Sequence, residues 1–116
     1  MTTPTLSKGD VWLIDFDPTR GAEIQKSRPR VIVNSDRIGR LPLRIVVPIT
    51  DWKPGYANFA WFVRLTPDNQ NGLTKESGAD AFQVKSLSET RFTQRLGALS
   101  ATDLERVIDA VILCFR

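Results

Sequence analysis

The sequence predicts a small, mainly β domain, in which a strongly curved antiparallel sheet or β-barrel is completed by one C-terminal amphipathic helix. Two patterns lead to this prediction. Short segments rich in aromatic and β-branched residues recur along the chain and are separated by Gly, Pro, Asn and Asp, as strands and turns are. Apolar residues at helical spacing occur only near the C-terminus. Alternating β–α units are therefore absent, which excludes a Rossmann-type fold.

The strand-like segments begin close to the N-terminus and continue to the final helix. They lie at residues 10–17, 30–34, 43–50, 59–65, 79–86 and 95–99. Consecutive aliphatic residues in the third segment indicate burial on both faces. Pro48 lies within that segment and cannot donate a ladder hydrogen bond, so the strand must be an edge or contain a bulge there. Residues 66–78 are polar and contain two glycines and one proline, which predicts an exposed connection.

A C-terminal helix is predicted to follow Ser100. This residue has the side chain of an N-cap, and an acid, Asp103, follows at the third helical position. The residues expected on the buried face of the helix are Leu104, Val107, Ile108, Val111 and Phe115. Cys114 lies in the same apolar pattern and is the only cysteine, so we expect it to be buried rather than reactive.

Length and composition are those of an ordinary globular domain. The 116 residues are expected to form one domain, residues 1–116, with residues 1–7 flexible. No apolar run approaches the ~20 residues that a membrane span needs, and the N-terminus lacks the basic and apolar regions of a signal peptide. A cytoplasmic protein without membrane contact is expected. The chain has no His and one Cys, so we expect neither a metal site nor a cofactor.

Positive charge is concentrated in one stretch of the chain. Residues 20–44 contain seven basic and two acidic side chains, a net charge of +5, whereas the whole chain carries +3. Most of the basic residues are Arg, whose planar fork suits bidentate contact with phosphate or carboxylate. The stretch is therefore either a solvated basic face or a binding surface for an anionic partner, such as nucleic acid or an acidic peptide.

A polar loop at residues 21–29 lies between the first two predicted strands, and we interpret it as the functional site of the protein. Two strands need only a short connection, and a long one without structure of its own is usually functional or disordered. The loop contains a glycine, one acid, an amide and Arg28. Pro29 biases the backbone of Arg28 toward an extended conformation.

Five short motifs follow one another over most of the chain. They are GDVWLIDFDP at residues 9–18, GAE at 21–23, RPRVIV at 28–33, VPIT at 47–50 and QVK at 83–85. In this order and spacing they resemble the MazF/PemK family of toxin endoribonucleases. The resemblance implies an SH3-like barrel of antiparallel strands, a homodimer, metal-independent cleavage of single-stranded RNA, and a cognate antitoxin that blocks the groove.

The resemblance also implies roles for individual residues. The family's catalytic arginine before proline corresponds to Arg28, and its threonine at the end of the third strand corresponds to Thr50. Its acid after Gly-Ser or Gly-Ala corresponds to Glu23. The family often has Gln directly after that acid, whereas here Ile24 comes first and Gln25 follows. The loop is therefore expected to approach RNA differently.

Cutting RNA without a metal is easiest when the 2′-hydroxyl attacks the adjacent phosphate, which leaves a 2′,3′-cyclic phosphate and a 5′-hydroxyl. Arg28 suits charge stabilisation and protonation of the leaving oxygen, but a guanidinium holds its proton too tightly to be a good base. Thr50 can donate a hydrogen bond to a phosphoryl oxygen, and Glu23 is the candidate base. Some relatives place an Asp base where this chain has Phe82, which excludes that version of the mechanism.

Each of these residues has a structural alternative that the sequence leaves open. Arg28 would form a salt bridge, Thr50 would satisfy a turn, and Glu23 would pair with Arg28 or Lys26.

Further RNA contacts are expected around the loop and on neighbouring elements. The candidates are Arg20, Gln25, Lys26, Trp52, Gln83 and Lys85. Trp52 and Tyr56 either belong to the core or stack on unpaired bases, at about 1–3 kcal/mol per base. Gln83 and Lys85 are expected on one strand, where they would read a base edge and hold a phosphate. The aromatic residues expected in the core are Trp12, Phe59 and Trp61.

Two other functions compete with RNA cleavage. CcdB-like toxins share this barrel but bind and poison a DNA gyrase subunit, without catalytic residues. A catalytically inactive RNA-binding or regulatory module would need only the basic surface. Arg28 and Thr50, together with the basic stretch, favour the nuclease.

Overall fold

The computed structural model describes residues 5–15, 28–38 and 41–116. The elements in these ranges are seven strands and one α-helix, joined partly by short 3₁₀ turns. The strands are β1 (Asp10–Ile14), β2 (Arg28–Ile32), β3 (Leu43–Asp51), β4 (Phe62–Leu65), β5 (Ser77–Asp80), β6 (Lys85–Ser88) and β7 (Phe92–Ala98). The helix is α1 (Ala101–Leu113), and the 3₁₀ turns are Asp36–Ile38, Pro54–Asn58, Ala81–Gln83 and Glu89–Arg91.

All strand pairs are antiparallel, and the order across the sheet is β4-β5-β3-β2-β1-β7. The long strand β3 pairs with β2 on one side and with two strands in succession on the other. Its first half pairs with β6 and its last residues pair with β5. One strand thus belongs to two parts of the sheet, which gives the sheet its barrel-like curvature. The predicted class, a curved antiparallel sheet with a C-terminal helix, is confirmed.

Pro48 lies at a local edge within β3. The backbone N–H of Val33 donates to the Ile45 carbonyl over 2.9 Å, so residues 45 and 47 direct their peptide groups toward β2. Because peptide groups alternate along a strand, Pro48 directs its nitrogen the other way. On that side β6 pairing ends at Val46 and β5 pairing begins at Ile49. The missing N–H therefore falls in the gap between two partners, where no ladder bond is lost.

Two hydrophobic clusters lie on opposite faces of the central strands. The first contains Val11, Val31 and Val47 of the sheet together with Val107 of α1. The second cluster consists of Leu6, Trp12, Ile14, Ile32, Val46, Leu87 and Phe92. Strands β1, β2 and β3 are therefore buried on both faces, as their consecutive apolar residues predict. Residues 1–4, part of the segment expected to be flexible, lie outside the described residues.

The helix begins as predicted and ends earlier than the apolar pattern suggested. The Ser100 hydroxyl oxygen accepts a hydrogen bond from the Asp103 backbone N–H over 3.1 Å, which confirms the N-cap. Val107 is fully buried, and Leu104 and Val111 pack against the first cluster. Phe115 was expected on the buried face, but it lies beyond the end of α1 and is 77% exposed. None of the helices in the described ranges is long and apolar enough to cross a membrane.

The prediction of a single strand at residues 79–86 is wrong. Two strands, β5 and β6, occupy this region, and the 3₁₀ turn Ala81–Gln83 separates them. Both pair with β3, but in registers three residues apart, since Ala79 faces Ile49 whereas Lys85 faces Val46. The turn absorbs this register change, and the Asp80 carboxylate caps it by accepting the Phe82 backbone N–H over 3.2 Å.

The connection predicted to be exposed at residues 66–78 is partly buried. Asn71 is fully buried. Its side-chain oxygen accepts from the Leu73 backbone N–H over 3.0 Å, and its side-chain nitrogen donates to the Thr66 carbonyl over 3.0 Å. Ser77, expected in the connection, is the first residue of β5. The segment packs closely against β7. A Cβ placed at Gly97 of β7 would lie only 2.1 Å from the Gln70 carbonyl oxygen.

Candidate active site

Arg28 and Thr50 lie on the neighbouring strands β2 and β3 and line the same two cavities. Arg28 was predicted to lie in the polar loop, but it is the first residue of β2 and faces Ile14 of β1. On the other side, β2 pairs with β3 so that Arg30 faces Pro48. Carried two residues further, the same register brings Arg28 opposite Thr50. Opposite side chains on neighbouring antiparallel strands share a face and lie within contact distance.

Two cavities share Arg28 and Thr50 in their walls. The first has a volume of about 480 Å³, and the second has a volume of about 330 Å³. The first cavity extends toward the connection at residues 66–76, where Thr74 and Lys75 line it. The second extends toward the 3₁₀ turn Ala81–Gln83. Arg28 and Thr50 therefore lie between the two cavities and belong to the walls of both.

The second cavity combines positive charge with aromatic rings. Arg30, Tyr56, Phe62, Asp80 and Gln83 line it in addition to the shared residues. The rings of Tyr56 and Phe62 are stacked, with centroids 4.0 Å apart and an interplanar angle of 12°. The Gln83 side-chain amide donates to the Asp80 carboxylate over 2.9 Å. Gln83 was expected on a strand and lies instead in the 3₁₀ turn, which still brings it to this cavity.

Arg30 lines the second cavity but was not among the candidate residues selected from the sequence. It lies on the same face of β2 as Arg28, two positions further along the strand, and only 8% of its surface is exposed. Burial, followed by the charges of Arg91 and Arg28, lowers the pKa of its guanidinium from the ordinary value. The period of two in the motif RPR was the available signal, because residues i and i+2 of a strand share a face.

Trp52 and Lys85 lie outside both cavities. Trp52 is half-buried, meets Tyr56 edge-on at 5.8 Å and has the Arg64 guanidinium 5.3 Å from its ring centroid. Lys85 is exposed at the start of β6. Tyr56, the other aromatic candidate, lines the second cavity. An RNA contact by Trp52 or Lys85 stays a prediction.

The aromatic residues expected in the core divide into three cases. Trp12 is buried at 6% exposure, as predicted. Trp61 is partly buried and packs against the first hydrophobic cluster. Phe59 is 41% exposed and stacks on Trp61, so its placement in the core was wrong.

Four of the predicted site residues lie outside the described residues. They are Arg20, Glu23, Gln25 and Lys26. Within the described ranges, no three His, Cys, Asp or Glu side chains are grouped so that they could hold a metal ion.

Comparison with known proteins identifies the family. The model of the PemK-like, MazF-like toxins of type II toxin–antitoxin systems matches residues 7–115. The chain is also 31% identical over 114 residues to endoribonuclease MazF9 of Mycobacterium tuberculosis, which covers 93% of this chain and 94% of that protein. The chain belongs to the PemK-like, MazF-like toxin family. The resemblance found in the sequence motifs is thereby confirmed.

Other members of the family agree in sequence and in fold. Endoribonuclease MazF of Staphylococcus saprophyticus is 26% identical over 106 residues, covering 91% of this chain and 88% of that protein. A MazE–MazF crystal structure from Deinococcus radiodurans has a TM-score of 0.77 at 22% identity and covers 99% of this chain and 97% of that one. The Mycobacterium tuberculosis toxin MazF-mt6 has a TM-score of 0.71 at 20% identity, with 91% and 95% coverage. At these identities, the two structures show that the fold is shared.

Proposed function

We propose that this chain is the toxin of a type II toxin–antitoxin system and that it cleaves single-stranded RNA without a metal ion. The observation that carries the proposal is that Arg28 of β2 and Thr50 of β3 line the same two cavities. A phosphodiester between the cavities would contact both side chains while the strand continues into each cavity. Family membership and the names of the relatives MazF9 and MazF, both endoribonucleases, support the same activity.

In the proposed reaction the 2′-oxygen of the RNA attacks the adjacent phosphorus. A bond forms between phosphorus and the 2′-oxygen, and the bond to the 5′-oxygen breaks, which leaves a 2′,3′-cyclic phosphate and a 5′-hydroxyl. The enzyme must hold the strand in line, stabilise the phosphorane charge, accept the proton of the 2′-hydroxyl and supply a proton to the 5′-oxygen. No step of this sequence needs a metal ion.

Arg28 is proposed to stabilise the phosphorane and to donate the proton that the leaving oxygen takes up. Its planar fork matches two phosphoryl oxygens, and Arg28 is an exposed residue in the walls of both cavities. Thr50 is half-buried opposite it and is proposed to donate its hydroxyl hydrogen to a phosphoryl oxygen. Glu23, outside the described residues, stays the proposed acceptor of the 2′-hydroxyl proton.

The second cavity is proposed to take a base next to the cleaved linkage. The stacked pair of Tyr56 and Phe62 offers an aromatic surface there, and the amide of Gln83 offers a polar edge. Stacking on an aromatic side chain contributes about 1–3 kcal/mol per base. Arg20, Gln25, Lys26, Trp52 and Lys85 are proposed to contact the strand outside this cavity.

Two protein partners are proposed. A cognate antitoxin is expected to bind over the groove, as the resemblance to the family implies. One structural neighbour is named as an endoribonuclease in complex with its cognate antitoxin. A second copy of the chain is expected to form a homodimer, as the resemblance to the family implies. We also propose the cytoplasm as the location, because the antitoxin and the RNA would both be there.

The first prediction tests the nuclease and its main side chain. We expect purified protein to cut single-stranded RNA in the presence of a chelator and Arg28→Ala to cut at least about 10²-fold more slowly. Arg28→Lys keeps the charge but loses the bidentate fork, so its rate should lie between the two. Mapping the fragment ends should give 2′,3′-cyclic phosphates and 5′-hydroxyls.

Other outcomes would reject the proposal in different ways. Full activity of Arg28→Ala, or cleavage only with added magnesium, would rule out this mechanism. Poisoning of DNA gyrase without any RNA cleavage would favour the CcdB-like alternative.

A further inference from the structure

Arg30 is a buried cation, and two of its three guanidinium nitrogens have no hydrogen-bonding partner in the part of the chain that the structure describes. It is 8% exposed, and its Nε and Nη1 atoms have no partner among the residues that the structure describes. Trp12 of β1 and Pro48 of β3 face it on the two sides. Neither residue has a carboxylate, and burying a charge without a counter-charge is unfavourable. A ligand that supplies a negative charge would therefore stabilise this side chain.

Arg44 shows how the same fold satisfies a structural arginine. It is equally buried, at 8% exposure. Its Nη1 atom donates to the carbonyls of Leu41 and Leu43 over 2.8 Å each and lies 3.5 Å from the Glu89 carboxylate. The contrast indicates that burial of Arg30 does not serve the fold in the way that burial of Arg44 does.

The charged residues around Arg30 favour an anionic ligand. Arg28 and Arg30 both line the second cavity, and Asp80 is the acidic residue in its wall. The Asp80 carboxylate already accepts the Phe82 backbone N–H and the Gln83 amide. The charges of Arg91 and Arg28 act on Arg30 in the same direction as its burial. The positive charge of the cavity thus exceeds its negative charge.

We infer that the second cavity is a nucleotide subsite in which Arg30 binds the phosphate next to the one held at Arg28 and Thr50. This inference rests on the proposed function. Residues two apart on a strand are separated by about 6.6 Å, a distance comparable to the step between successive phosphates of an extended nucleic acid chain. The volume of about 330 Å³ is within the range of small-ligand sites, roughly 300–1,000 Å³.

The test is the salt dependence of binding to a nucleic acid that cannot be cut. The probe is a single-stranded oligodeoxynucleotide with the cleavage sequence mapped for the wild type; it lacks the attacking 2′-hydroxyl. Each phosphate contact contributes about 0.7 to the slope of log K against log salt for single strands. We expect Arg30→Met to reduce the slope by about that amount, as measured by fluorescence anisotropy. The control, Arg116→Met, removes an exposed charge outside both cavities and should leave the slope unchanged.

A thermal melt of the same variants separates ligand binding from folding. Arg30→Met removes an unpaired buried charge, so its Tm should equal or exceed that of the wild type. Arg44→Met leaves Glu89 and two carbonyls without their partner, so its Tm should fall. A marked fall in Tm for Arg30→Met would assign Arg30 to the fold and overturn the inference.

The remaining outcomes distinguish the subsite from the proposed function. If the wild type cuts RNA and binds the probe, but Arg30→Met has the same slope, only the subsite is refuted. An unchanged slope with an altered preference among bases would make Arg30 a reader of base edges and would also refute it. If the wild type neither cuts RNA nor binds the probe, the proposed function and the subsite fail together.

Discussion

The proposed role of Thr50 in RNA cleavage depends on its hydroxyl group alone. It is half-buried opposite Arg28, so a change of side chain can remove the hydroxyl with little change in packing. Thr50→Val lacks the hydrogen-bond donor, and we expect kcat/KM for RNA cleavage to fall by about 10²-fold. Thr50→Ser keeps the hydroxyl and should keep most of the activity. Equal losses in both variants would show that the methyl group matters and that the proposed hydrogen bond is not needed.

Residue identity predicted part of the site, and tertiary contacts determined the rest. Arg28 and Thr50 were selected from the motifs RPRVIV and VPIT, and the register of β2 on β3 brings them together. The motif RPR places Arg30 on the same face as Arg28, but the property that sets it apart is burial with two unpartnered nitrogens, which the sequence does not show. That property depends on Trp12 and Pro48 from two other strands, and no sequence window contains all three.

At the scale of elements, β3 could be predicted but its partners could not. Its aliphatic run gave residues 43–50, and the strand is Leu43–Asp51. Which strands pair with it depends on the turn Ala81–Gln83, since that turn splits one apolar segment into β5 and β6. Strand propensity does not report such a break, because it describes residues that suit a pleated surface and not the register of pairing.

The packing of the connection at residues 66–76 against β7 gives a test at the same scale. A Cβ at Gly97 would lie 2.1 Å from the Gln70 carbonyl oxygen, so backbone must move in Gly97→Ala. Forced overpacking of this kind typically costs about 1–3 kcal/mol. Because Thr74 and Lys75 of this connection line the first cavity, RNA cleavage should also slow.

Gly55→Ala is the matched control for that substitution. A Cβ at Gly55 meets nothing within 4 Å. The variant should be neutral or more stable by up to about 1 kcal/mol, since alanine restricts the unfolded chain. Chemical denaturation of both variants compares them directly. Equal stabilities would mean that the connection moves away from β7 at little cost.

At the scale of the whole molecule, the fold separates two uses of its basic residues. Arg44 belongs to the central basic stretch of the sequence, yet it is buried and bonded to carbonyls and Glu89. Arg28 and Arg30 come from the same stretch and line the cavities. Net charge in the sequence predicts an anionic partner, but only the folded chain distinguishes an arginine bonded within the fold from arginines that line the cavities.

The arrangement of charge leads to a prediction for cleavage as a whole. Residues 20–44 carry a net charge of +5, so RNA should be attracted before it reaches Arg28 and Thr50. Salt screens this attraction and competes with phosphate contacts. We expect kcat/KM to fall steeply between low and physiological salt, whereas kcat at saturating RNA should change much less, because the bound phosphate is already in contact with its donors. Steady-state cleavage of one short RNA at several salt concentrations measures both quantities.

A kcat/KM that stays flat over this range would mean that positive charge does not guide the substrate, and a kcat that falls in parallel would place the salt effect in the chemical step.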